Sequence, residues 1–266
     1  MYLKVQNSNQ VYILITIVIT MCLQTGCGTG LASKNTGERP PKYPIAEILA
    51  QTDRLFGARE DIEKLKEARR LVNQIREPDD RNFEVEWRFA KYSLFLGEKL
   101  TDDDQRQKVF EEGRDAGKMA FRMRADQPDG YFWYGANLAE LARMSPVTVG
   151  YTSVDNIRDA MNTVINIQPG YQGGSAYDIL AQIELNTRLF GGKASKAAEY
   201  LEKALEIAKN NSNIRLHLAQ AYLDIDKVEL AKQQLQYILK MEPDPDFTPE
   251  HKANVAEAKR LLATRF

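Results

Sequence analysis

Apolar residues in this chain recur three and four positions apart over most of its length, the spacing that stacks side chains on one face of a helix. Leu218, Ala219 and Tyr222, then Ala231, Leu235 and Ile238, then Pro243, stand at offsets of 0, 1, 4, 13, 17, 20 and 25 from the first. The second-helix part of this pattern returns upstream with the same internal spacing. It reads Ala197, Leu201, Ala204; Ile157, Met161, Val164 with Pro169; Ala116, Ala120, Met123 with Pro128; and, more weakly, Ala68, Val72, Ile75. Successive copies are 48, 41, 40 and 34 residues apart, so the period lengthens towards the N-terminus. The pattern predicts helices over 45–56, 60–76, 81–97, 103–126, 130–143, 153–167, 174–189, 194–209, 212–224, 227–241 and 249–264. Outside the N-terminal apolar run, no stretch of alternating β-branched residues predicts a strand.

Those offsets, a Leu-Ala pair, an aromatic, an Ala, a Leu, an Ile and a Pro, resemble the tetratricopeptide consensus, specifically over 212–243 and more loosely over 80–245. The resemblance implies two antiparallel helices per unit, with small residues where the helices approach and Pro closing the second helix. One pair cannot bury its own apolar stripe, so pairs must stack. The expected fold is therefore all-α: a tetratricopeptide-like solenoid of about five antiparallel helix pairs over 44–266, with a C-terminal capping helix. That last helix carries Val255, Ala258, Leu261 and Leu262 on one face and Lys and Glu on the other, as a solvating cap would.

The N-terminus is different in kind. Lys4 precedes an apolar run from Val11 to Leu23, too short at 1.5 Å per residue to cross a hydrocarbon core of about 30 Å. This is the profile of a signal peptide over 1–26. Thr25 and Gly26 stand immediately before Cys27, which resembles a bacterial lipobox; Gln24 departs from that pattern, where a large aliphatic residue is usual. The resemblance implies cleavage before Cys27, lipid attachment to its thiol and, because Gly28 and not Asp follows, the periplasmic side of the outer membrane. Secretion into the periplasm without a lipid is the alternative. Residues 27–43, rich in Gly, Pro, Ser and Asn, read as a flexible tether.

Composition removes several function classes. Thirty-six Lys and Arg against 37 Asp and Glu provide no excess cation for a polyphosphate backbone, so no nucleic-acid partner is expected. Two His and two Cys offer almost nothing from which to build a zinc site or a Cys–His pair. His217 and His251 each lack a second His or a Cys within a helical turn. The run Asp102, Asp103, Asp104 after Thr101 reads as a capped helix start, not a calcium loop. No nucleophile elbow or phosphate loop is present. We expect no metal, no cofactor and no enzyme.

The anchored N-terminus, the aromatic helix YFWYGANLAELA at 131–142, a long insertion within a repeat and Gly191-Gly192 before an Ala-rich helix together resemble the T component of TRAP transporters. The pattern is also similar to bacterial relatives of regulators of microtubule dynamics. The first resemblance implies a lipoprotein with an apolar pore and a periplasmic solute-binding protein as partner. Solenoids commonly line their concave face with the first helix of each pair, which nominates Trp133, Asn137, Tyr177, Gln182 and Gln220 for ligand or partner binding. Val147, Val149 and Tyr151, in the loop 145–152, are candidates to line a channel together with Trp133. The expected function is a membrane-anchored scaffold holding a protein or peptide in its groove; a transport accessory for a small apolar or organic-acid ligand is the alternative.

Overall fold

Eleven helices carry the described residues of the computed structural model, which are 44–145, 151–243 and 245–266. They are α1 (Ile45–Gly57), α2 (Ile62–Gln74), α3 (Phe83–Lys99), α4 (Asp103–Met123), α5 (Pro128–Met144), α6 (Tyr151–Ile167), α7 (Ser175–Asn186), α8 (Ala194–Ile207), α9 (Ser212–Asp224), α10 (Val228–Ile238) and α11 (Thr248–Arg265). Each follows its predicted span, with ends shifted by up to three residues. The signal peptide, Cys27, the tether and Val147 and Val149 lie outside the described residues.

Polar side chains fix several helix starts. Asn82 accepts from the amides of Glu84 and Val85, and Asn211 from those of Asn213 and Ile214. At α4 the cap is Asp102, whose carboxylate accepts from Gln105 N at 2.9 Å, and not Thr101, one residue earlier. The acids after it, Asp103 and Asp104, occupy the first turn, where the positive end of the helix dipole favours them.

Helices pair as α1/α2, α3/α4, α5/α6, α7/α8 and α9/α10, each packed on the next, while α3, α5, α7 and α9 also touch in succession. This is the stacking of an all-α, tetratricopeptide-like solenoid. The repeated second-helix positions are its core. Ala68, Val72, Ile75, Ala116, Ala120, Ile157, Met161, Val164, Ala197, Leu201, Ala204, Ala231, Leu235 and Ile238 are all at most 3% exposed. Met123 departs from the pattern, exposed at the end of α4. Two apolar clusters result, one spanning α1 to α7 and one spanning α7 to α11, with Tyr200 packed against both.

Glycine permits the closest helix approach. A Cβ on Gly117 of α4 would strike the backbone of Tyr134 on α5, and one on Gly130 of α5 would strike the backbone of Phe121 on α4. Between α2 and α3 the turn is held by charge. Glu86, fully buried, accepts from Arg76 Nη2 at 2.8 Å and from Arg81 Nη1 at 2.7 Å, so its desolvated carboxylate has two cationic partners.

The C-terminal helix does more than solvate an end. Ala258 and Leu261 pack it on α9 and α10, while its first turns reach back to the α1–α2 turn. There Arg59 forks onto Glu250, Nε to Oε1 at 3.1 Å and Nη2 to Oε2 at 2.9 Å, and Lys252 donates to Glu60 at 2.8 Å. The Arg59 guanidinium also lies 4.8 Å from the Phe56 ring centre. The array is thus tied end to end across its concave side.

Candidate functional site

The concave side encloses a cavity of about 800 Å³. It is built from repeating four-residue steps, which bring side chains to one helix face. α3 contributes Leu94 and Glu98, α5 Phe132, Ala136 and Glu140 with Ala139 and Arg143 beside them, α7 Asp178, Gln182 and Asn186, α9 Asn213 and His217, and α11 Glu250 and Asn254. Val154 and Ile157 of α6 complete the apolar floor.

Of the five residues nominated from the sequence, Gln182 alone lines this cavity. Its Nε2 is buried and has no acceptor among the described residues. Trp133 is 2% exposed and belongs to the core. Its ring packs edge-on against Phe132 at 4.8 Å and tilted against Phe95 at 6.2 Å, and its Nε1 donates to Tyr171 Oη at 3.1 Å. Tyr171 in turn donates to Asp129 at 2.7 Å. Burial, then the Asp129 charge, raise the Tyr171 phenol far above its ordinary range.

Asn137 is fully buried and donates to the carbonyls of Ala90 at 3.1 Å and Trp133 at 2.7 Å, so it serves the α3–α5 contact and not the groove. Tyr177 is half-buried against the second apolar cluster, and Gln220 is half-buried away from the cavity. The reason is rotational. Trp133 and Tyr177 stand one residue from Phe132 and Asp178, and one residue turns a helix by about 100°, enough to exchange groove for core.

Sequence reasoning missed Glu98, Glu140, Arg143, Asp178 and His217, and treated α11 as outside the site. The four-residue steps 94/98, 136/140, 178/182 and 213/217 were the available signal. His217 Nδ1 meets Asp178 Oδ1 at 2.7 Å. Burial opposes protonation of the imidazole, but Asp178 more than offsets it and leaves the pKa above the ordinary 6.5. Glu140 pairs with Arg143 at 2.5 Å and Glu250 with Arg59 at 2.9 Å.

Glu98 points into the enclosed space. It keeps water contact there but is ringed by protein, so its surroundings act on it although much of its own surface is open. Enclosure by the walls, then the charges of Glu140 and Glu250, push its carboxyl up to about 7, against the pull of Arg143 and Lys99. Among the described residues no group of three His, Cys, Asp or Glu is placed to hold a metal ion.

Chemically, the cavity can take up an elongated ligand with one apolar side. Its walls carry hydrogen-bonding amides and carboxylates and its floor is aliphatic, a combination typical of binding sites.

Fold and cavity define the class at the level of architecture: an all-α array of tetratricopeptide-like helix pairs around a lined cavity. Residues 48–173 match the family described as Regulator of microtubule dynamics protein 1-3, and residues 191–263 match the Tetratricopeptide repeat family. The two matches fall mainly on the first and second apolar clusters respectively. Among solved structures, a thermophilic TPR protein of Thermus thermophilus is similar at 18% identity and a TM-score of 0.60, over 81% of this chain and 99% of its own. The RS-1 ArsTM double mutant of MamA is similar at 14% identity and a TM-score of 0.49, over 83% of this chain and 97% of its own. No curated protein matches the sequence.

Proposed function

We propose that this chain is a non-enzymatic scaffold, anchored by lipid on Cys27 to the periplasmic side of the outer membrane, that holds a peptide segment of a partner protein in its concave cavity. One observation carries the reading. Five helices offer side chains to the same space at four-residue steps, with Leu94, Phe132, Ile157, Ile179 and Ile183 beneath and hydrogen-bonding groups at the walls. Such a surface suits an elongated segment with one apolar side. The lipid anchor rests on the sequence around Cys27 alone.

A second reading is favoured by the way α11 closes onto the α1–α2 turn. A partly enclosed chamber of about 800 Å³ is within the size range of small-molecule sites, as a transport accessory resembling the TRAP T component would require. A periplasmic solute-binding protein would then be the partner.

Ala253, exposed on α11 at the cavity wall, separates these readings from a merely structural concavity. Ala253→Trp fills the mouth at little cost to packing. Crosslinking and affinity capture from membranes should recover a partner with the native chain and lose it with the variant, an affinity loss of about tenfold or more. Undiminished capture by a folded Ala253→Trp chain overturns the peptide-holding reading. In the same cells, Cys27→Ala should abolish palmitate labelling and release the protein from the membrane.

A further inference from the structure

The charges of the cavity are unevenly answered. Four carboxylates line it, on Glu98, Glu140, Asp178 and Glu250, against Arg143 and, when protonated, His217. Three have partners already: Glu140 has Arg143, Asp178 has His217, and Glu250 has Arg59 from the first helix pair. Glu98 makes no hydrogen bond or ion pair among the described residues, and the charges of Glu140 and Glu250 act on it more strongly than those of Arg143 and Lys99. Two helices away, the buried Gln182 Nε2 has no acceptor. Among the described residues, a carboxylate without an ion-pair partner and an amide donor without an acceptor thus share one apolar-floored space.

We infer that the segment held in this cavity is a cationic, amphipathic peptide: apolar side chains rest on Phe132, Ile157, Ile179 and Ile183, a lysine or arginine head group pairs with Glu98, and a backbone carbonyl accepts from Gln182. The inference rests on the peptide-holding function proposed above. An acidic segment would meet four carboxylates and find Arg143 already engaged. An uncharged apolar ligand would cut Glu98 off from water and leave Gln182 Nε2 without an acceptor, which selects against it. The raised protonation of Glu98 accords with this. The cavity holds the carboxylate under repulsion from Glu140 of α5 and Glu250 of α11, only partly relieved by Arg143 of α5 and Lys99 of α3, and an incoming cation relieves the rest.

The test uses the full chain in detergent and two fluorescein-labelled peptides, one alternating leucine with lysine, the other alternating leucine with glutamate. At about pH 8, where an unshifted or moderately raised carboxyl is ionised, the lysine peptide should bind at least about tenfold more tightly than its counterpart. Glu98→Gln should remove most of that preference, while Glu199→Gln on the exposed face of α8 should preserve it and so rule out a general charge effect. Equal binding of both peptides, or an unchanged preference in Glu98→Gln, overturns the inference.

Ala253→Trp distinguishes this failure from that of the function beneath it. If both peptides bind equally and both are blocked, the cavity holds peptides without regard to charge. If neither is blocked, the cavity is not the site and both readings fall.

Stability gives an independent readout. A carboxyl whose folded pKa lies above its free value favours folding when protonated, and that advantage is lost as pH rises from the ordinary 4.5 through about 7. Glu98→Gln should therefore raise the melting temperature at about pH 8 and leave it nearly unchanged at about pH 4, near the free carboxyl value. A lowered melting temperature at the higher pH would mean that Glu98 already has a stabilising partner, and would overturn the inference.

Discussion

His217 is a histidine set in an apolar row, between Leu216 and Leu218, that turns out to face a carboxylate across the cavity wall. Because Asp178 holds its pKa above 6.5, the pair's contribution to stability is complete below that value and is lost as pH rises through the folded pKa. His217→Ala should accordingly lower the melting temperature more at about pH 5.5 than at about pH 8.5, the window in which an imidazole of raised pKa changes charge. A cost independent of pH would make the ring a packing element only. At this scale the sequence was informative about spacing and poor about direction. Gln182 lines the cavity, whereas Trp133 and Asn137, chosen on the same logic, point inward. Nothing in the run YFWY distinguishes which of four successive aromatics faces the groove. That depends on how far α5 is rotated against α3, which the close contact of Asn137 with the Ala90 carbonyl fixes.

Between one helix and the next, the small residues set the distances. Gly117 and Gly130 let the α4 and α5 backbones approach more closely than any side chain would allow. Gly117→Ala should push the helices apart and destabilise the fold by about 1–3 kcal/mol, read from chemical denaturation. A neutral effect would mean that α4 shifts freely on α5. Helix positions were legible from the sequence throughout, because the second-helix triplets Ala68 to Ile238 are buried with the exception of Met123. The ends were less so. Asp102 caps α4 one residue later than Thr101, and either side chain could have accepted the first amides. The burial of Glu86 was invisible, since its two arginines come from a turn whose path only the packing of α2 against α3 decides.

Over the whole described array, the decisive feature is the tie between its ends. Arg59 is 6% exposed and forks onto Glu250 from 191 residues away. Glu250→Gln replaces the charged acceptor of this fork with a neutral amide and should cost about 1–3 kcal/mol, with faster amide exchange in α11 and in the α1–α2 turn together. Exchange that quickens in α11 alone would show that the two ends open independently. A long-range contact of this kind has no periodic signature, which is why the C-terminal helix read as a plain cap.

A stack of hairpins with two loose termini can gain or shed a unit and still fit, since each pair needs only its immediate neighbours. This chain has given up that freedom. With first and last elements gripping one another, the number of pairs and the curvature between them are fixed together, so duplicating or deleting a hairpin would leave Arg59 and Glu250 unable to meet.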